Sequence, residues 1–124
     1  MKYNDFSEMP VWQKGAEVIE KVYKLCLILP KSEVYTLSSQ LKRASLSITA
    51  NIAESFGRKH SKDKINFYIY ARGSAFEVQS HLLIGKKLGF FNESEVQEIN
   101  IICLEIIESL NKIMKGLIKP HPQP

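Results

Sequence analysis

Apolar residues recur along this chain at helical spacing from Pro10 to Leu117, and turn signals divide the pattern into four segments. The first begins near Pro10, a residue suited to the opening turn of a helix, and ends before Pro30. Its apolar set is Val11, Trp12, Ala16, Ile19, Val22, Tyr23, Cys26 and Leu29. The second is expected from about Ser32 to Phe56, with Glu33 in its first turn and Gly57 as its stop. The third begins after Ser61 and runs to about Leu88, before Gly89. In the fourth, Val96, Ile99, Cys103, Ile106, Leu110, Ile113 and Leu117 recur in alternating steps of three and four. Such a seam belongs to a helix packed against antiparallel neighbours. Asn92 or Ser94 is placed to cap it, and Ser94 with Gln97 has the capping-box spacing. Ile101, Ile102, Ile107 and Met114 exceed that seam and point to self-association or to a wider core.

These segments predict an all-α fold. Connections of roughly three to six residues favour antiparallel neighbours, hence an up-down-up-down four-helix bundle over residues 1–118. Gly15 predicts a close helix approach, because glycine inside a helix costs about 1 kcal/mol relative to alanine. The tail 119–124, KPHPQP, carries three prolines in six residues and is predicted to be disordered.

The second segment departs from a simple amphipathic helix. At roughly 100° per residue, Gln40, Arg43, Ser47, Asn51, Glu54 and Arg58 fall in one narrow polar stripe. Leu37, Leu41, Ala44, Ile48 and Ile52 border it on one side, and Leu46, Ala50 and Ala53 lie on the other. A polar seam with apolar borders implies pairing to a specific surface. Arg43 on this segment and Arg72 on the third read either as phosphate-binding groups or as partners of Glu54 and Glu77, paired between helices or subunits. The pairing reading is preferred, with Gln40 and Asn51 satisfying neighbouring groups and fixing helix register.

Charge adds a second candidate. The chain of 124 residues has a formal net charge of +4, an ordinary hydrophobic share of 44% and a charged share of 24%. Residues 31–64 carry seven Lys or Arg against three acids, whereas 92–110 carry five Glu and no Lys or Arg. Arg58, Lys59, Lys62 and Lys64 crowd the turn between the second and third helices, with His60 among them and Asp63 opposing. They form the candidate nucleic-acid contact, salt-sensitive and sequence-independent, or else a solvated loop. Tyr35, Tyr68 and Tyr70 are placed to stack on bases, but aromatics at helical spacing read as core or interface, as does Trp12.

Several strings occurring in order carry a family resemblance over residues 6–90. They are Val11-Trp12-Gln13-Lys14, Pro30-Lys31 with Glu33, Tyr35 with Leu37, Gln40-Leu41, Arg43-Ala44 and Ser47-Ile48. Asn51-Ile52-Ala53-Glu54, Gly57-Arg58, Phe67, Ala71-Arg72-Gly73-Ser74 and Glu77 complete the set. The chain resembles the bacterial four-helix-bundle proteins encoded in intervening sequences of 23S ribosomal RNA genes, labelled ribosomal-protein-like from gene location. The resemblance implies a ring-forming homo-oligomer, a homopentamer, related in fold to accessory proteins of diversity-generating retroelements. Those bind a reverse transcriptase and nucleic acid. Ser55 stands where the family pattern has glycine, which implies looser packing or an earlier bend at the end of the second helix.

Enzymatic and cofactor chemistry find little support. Cys26 and Cys103 lie on apolar stripes, read as buried thiols of a reducing cytoplasm. Glu77 and His81 form a single four-residue spacing, without the paired Glu-x-x-His of a di-iron bundle. His60 and His121 fall in a turn and the tail, and no Gly-rich phosphate loop is present. No metal, cofactor or small-molecule substrate is therefore expected, although a ligand- or metal-binding bundle stands as a weaker third reading. No window approaches the ~20 apolar residues of a membrane span, and the N-terminus lacks a signal-peptide run. The expectation is a cytoplasmic, non-enzymatic bundle that binds itself and RNA or another polyanion. The alternative is a protein-binding scaffold for a nucleic-acid enzyme, with no nucleic-acid contact of its own.

Overall fold

The computed structural model describes residues 2–118. Four helices span most of them: α1 (Pro10–Cys26), α2 (Leu37–Phe56), α3 (Ser61–Lys87) and α4 (Glu93–Leu117). Short 3-10 turns cover Phe6–Glu8 and Lys31–Glu33, and no strand occurs among the described residues. The helices pack in cyclic order, α1 on α2, α2 on α3, α3 on α4 and α4 on α1. Paired residues climb one helix as they descend its neighbour: Ser55 meets Lys64, Ser47 meets Ser74 and Arg43 meets Glu77 across α2 and α3. Arg72 meets Asn111 and Gln79 meets Asn100 across α3 and α4 in the same sense.

The core follows the expected stripes on α2 and α4. Leu41, Ala44, Ile48 and Ile52 are fully buried, and Leu37 nearly so. Val96, Ile99, Cys103, Ile106 and Leu110 are buried, while Ile113 and Leu117 pack partly against them. Three of the four residues in excess of that seam, Ile102, Ile107 and Met114, are buried as well, so they widen the core; only Ile101 faces solvent.

Three expectations are corrected. The second helix begins at Leu37, not near Ser32. Pro30 leads into a 3-10 turn, and Thr36 has a non-helical backbone, φ −120° and ψ −99°, with its hydroxyl donating to the Glu33 carboxylate at 2.9 Å. The capping box of α4 is Asn92 with Glu95, not Ser94 with Gln97. The Asn92 side chain accepts from the Glu95 N–H and the Glu95 carboxylate accepts from the Asn92 N–H, both at 2.8 Å. On α1 the buried line is Val11, Gly15, Val18, Val22, Leu25 and Cys26, so the expected set was turned toward one edge: Ala16 and Ile19 are half-buried and Tyr23 is exposed.

Gly15 does mark a close approach. A Cβ there would lie 2.8 Å from the Thr49 methyl and 3.3 Å from Ile48. Ser45 and Thr49 are buried on the α2 side of that contact and donate to the carbonyls of Lys42 and Leu46, so their hydroxyls carry no unmet demand. The tail 119–124 lies outside the described residues.

Candidate nucleic-acid interface

Helix α2 ends at Phe56, Gly57 is its C-cap, and α3 restarts at Ser61 after His60 in extended conformation. This short connection forces Arg58, Lys59, His60, Lys62 and Lys64 into one exposed corner. The structure divides them into two groups. Arg58 donates to Glu54 at 2.7 Å and lies 4.7 Å over the Phe67 ring. The ammonium of Lys64 donates to the carbonyls of Ser55 and Phe56 at 3.1 and 3.3 Å. These acceptors lie at the negative end of the α2 dipole, where a cation is favoured, and the Ser55 carbonyl also accepts from the Arg58 N–H at 3.1 Å. Lys59 and Lys62 are exposed and enter no ion pair among the described residues.

Ser55 completes the corner. It is fully buried, α2 runs on through it to Phe56, and its hydroxyl donates to the Lys64 carbonyl at 3.0 Å. A serine therefore ties α2 to α3 where looser packing or an earlier bend was expected. Elsewhere the local excess of lysine is partly spent: Lys86 pairs with Glu93, and the Lys42 ammonium sits 4.9 Å over the Tyr23 ring.

The polar seam of α2 faces α3. Gln40 accepts from Arg43 at 2.9 and 3.1 Å, Arg43 pairs with Glu77, and His81 Nε2 lies 3.1 Å from the same Glu77 carboxylate. Asn51 donates to the Ser47 carbonyl at 2.9 Å, and the Ser47 and Ser74 hydroxyls are 2.9 Å apart. Glu54 pairs within its own helix end, with Arg58. Arg72 turns the other way and donates to the Asn111 amide oxygen at 2.7 Å, so an amide rather than a carboxylate receives it. Of the tyrosines, Tyr68 is buried, whereas Tyr35 at 90% and Tyr70 at 57% exposure are not core residues. Trp12 is half-buried, with its ring 5.4 Å from Phe6.

One feature on the opposite edge escaped the sequence. Glu17, Glu20, Lys21 and Lys24 of α1 and Glu95 and Glu98 of α4 rim an open cavity of about 410 Å³ floored by Leu25 and Ile99. Lys21 donates to Glu98 at 2.6 Å; this bond raises the pKa of the ammonium and lowers that of the carboxylate. The acid-rich run at 92–110 was its only sequence signal, because the partner lies far away on α1. Among the described residues no cluster of three or more His, Cys, Asp or Glu could hold a metal ion, and no helix is long and apolar enough to cross a membrane.

Comparison with curated proteins finds no match. Among solved structures, the chain is similar to a protein of unknown function from the S23 ribosomal protein family of Bacteroides thetaiotaomicron VPI-5482. The two are 26% identical, with a TM-score of 0.76 over 85% of this chain and 98% of that one. The family model of the 23S rRNA-intervening sequence proteins matches residues 7–112, from the turn before α1 to the last third of α4, and the chain belongs to that family.

Proposed function

We propose that this protein is a non-enzymatic, self-assembling up-down-up-down bundle of the cytoplasm that binds RNA or another polyanion through the α2–α3 corner. The observation that carries the reading is the division of labour among the corner's cations. Arg58 and Lys64 are held by Glu54, Phe67 and the end of α2, and this leaves Lys59 and Lys62 displayed on a rigid support. A ring of such corners, a homopentamer on the family resemblance, presents many phosphate contacts at once, and multivalency compensates for few cations per copy.

The test is a titration of labelled single-stranded RNA at low and high salt, with the wild type and with Lys59→Glu combined with Lys62→Glu. Binding that weakens as salt rises and collapses in the variant, with oligomer mass unchanged, is the expected result. Equal binding at both salts, or none at low salt, refutes the corner as a polyanion site.

A second reading has its own observation. The α1–α2 connection exposes Leu27 at 83% and Tyr35 at 90%, at the end of the bundle away from the basic corner. Such tips suit docking on another protein, and a polymerase-like partner follows from the relation in fold to retroelement accessory proteins that the family resemblance implies. Absence of RNA binding by the wild type even at low salt would favour this scaffold.

A further inference from the structure

Beyond the displayed lysines, α3 carries an exposed aromatic ring that the core does not use. Tyr70 is 57% exposed, and one turn away on its helix lie Asn66, Phe67, Gly73 and Ser74. The exposed apolar residues of the same helix, Ile69, Phe76 and Leu83, repeat every seven residues on the side toward α4. Tyr70 instead lies with Ser74 and Glu77 on the side toward α2, where those two residues meet Ser47 and Arg43. Apart from Phe67, its surroundings are polar or bare, so it is a single ring and not part of an apolar patch.

The basic corner itself holds this ring in place. Tyr70 meets the Phe67 ring edge to face, with centroids 5.7 Å apart and planes at 89°. The Arg58 guanidinium covers Phe67 at 4.7 Å and is anchored by Glu54 at 2.7 Å. A run of contacts thus joins the end of α2 to Tyr70 and orders the ring before any ligand arrives. Beside it Gly73 is exposed, and a Cβ there would meet nothing within 4 Å, which leaves bare backbone and room for a flat group. Lys62, Asn66, Tyr70 and Gly73 follow one another along a single exposed face. At the helical rise, Lys62 and Tyr70 are about 12 Å apart along the axis. A strand of a few nucleotides covers that separation.

We infer that the α2–α3 corner takes nucleic acid as a single strand, with an unpaired base stacked on Tyr70 and neighbouring phosphates on Lys59 and Lys62. The inference rests on the polyanion reading above and names the form of the polymer. Of the polyanions that exposed lysines attract, only one with free aromatic faces gains from Tyr70. Bases in a duplex are closed against one another, so a duplex, like a sulfated polysaccharide, meets the lysines alone. Asn66, exposed between Lys62 and Tyr70, offers amide groups to the edge of the stacked base. Residues 54–67 hold four Lys or Arg against Glu54 and Asp63, and Glu77 is already engaged by Arg43 and His81, so the local field favours a phosphate chain.

The experiment titrates the full chain at low salt with three labelled ligands: a uridine oligomer, an RNA duplex and heparin. Tyr70→Ala should weaken binding of the uridine oligomer roughly tenfold and leave duplex and heparin unchanged, while Tyr70→Phe binds as the wild type does. Lys59→Glu combined with Lys62→Glu should weaken all three. Tyr70 is exposed, so its alanine variant is expected to fold, which circular dichroism checks. Tyr70→Leu, which keeps an apolar contact with Phe67 but has no aromatic face, replaces it if it does not. A Tyr70→Ala chain that binds the oligomer like the wild type, or loses all three ligands alike, overturns the stacking and leaves the corner as a general polyanion site. A wild type that prefers the duplex overturns it too. So does a lower mass of Tyr70→Ala by light scattering, which would assign the ring to a contact between copies. A wild type that binds none of the three, or lysine reversals without effect, overturns this inference together with the corner.

Discussion

Gly85 and Gly73 lie on the same helix under different constraints. The chain reverses after α3 at Gly89, whose φ of +85° suits glycine, and the N–H groups of Phe90 and Phe91 return to the Gly85 carbonyl at 2.9 and 3.4 Å. That reversal presses the Phe91 ring against Gly85, where an added Cβ would overlap it. At Gly73 an added Cβ meets nothing within 4 Å. Gly85→Ala should therefore cost about 1–3 kcal/mol by overpacking. Gly73→Ala should stabilise the fold by up to about 1 kcal/mol through helix propensity. Urea unfolding midpoints of the two variants check this, and shifts of the same sign would contradict it. Neither role was legible in the sequence, because what a glycine touches depends on how the chain returns. The Arg43–Glu77 pair shows the complementary case: its residue types announced a partner, while the choice among Glu54, Glu77 and a neighbouring subunit needed coordinates. With about half of Arg43 and a third of Glu77 exposed, the pair belongs with surface ion pairs that contribute about 1 kcal/mol or less.

Among the elements, α4 was the most legible and its first turn the least. Alternating steps of three and four identify a buried seam wherever the helix sits, but two overlapping cap spacings, Asn92 with Glu95 and Ser94 with Gln97, compete two residues apart. The structure chooses the earlier one, and the reciprocal bonds at 2.8 Å give the choice a measurable consequence. Asn92→Ala should lower stability by about 1 kcal/mol, and Ser94→Ala should change it little. Thermal unfolding of both variants decides, and a larger loss from Ser94→Ala would remove the assignment. Helix α1 failed at the same scale for another reason. It has apolar residues on two neighbouring faces, and periodicity alone does not say which one meets the core. The fully buried Val18 and Val22 define that face, and the Ala16–Tyr23 line is its outer edge.

At the scale of the whole molecule, the two cysteines connect burial to pH. Both thiols are buried, and burial pushes the pKa of Cys103 up to about 12. Cys26 is raised for the same reason, against the opposing influence of the Ser38 side chain and of Lys42. A thiol whose folded pKa lies above its unfolded value, 9.0 for Cys103, stabilises the fold fully below that value. The contribution is lost as pH rises from about 9 toward 12, because only the unfolded chain releases the proton. Stability should thus decline above pH 9, with Cys103 contributing at most about 1.4 kcal/mol per pH unit. Denaturation between pH 8 and pH 10 should show a shallower decline in Cys103→Ala, and equal slopes would disprove the linkage.

Sequence alone determined the four helices, the buried stripes of α2 and α4 and the basic character of the α2–α3 corner. Each depends on the order of residue types over a few turns, and helical periodicity expresses that order whatever surrounds it. Only the tertiary structure decided which of the crowded cations remain displayed and that the α2 seam turns toward α3. Those outcomes depend on residues brought together from far along the chain, Ser55 with Lys64 and Arg43 with Glu77, whose pairing no local pattern specifies.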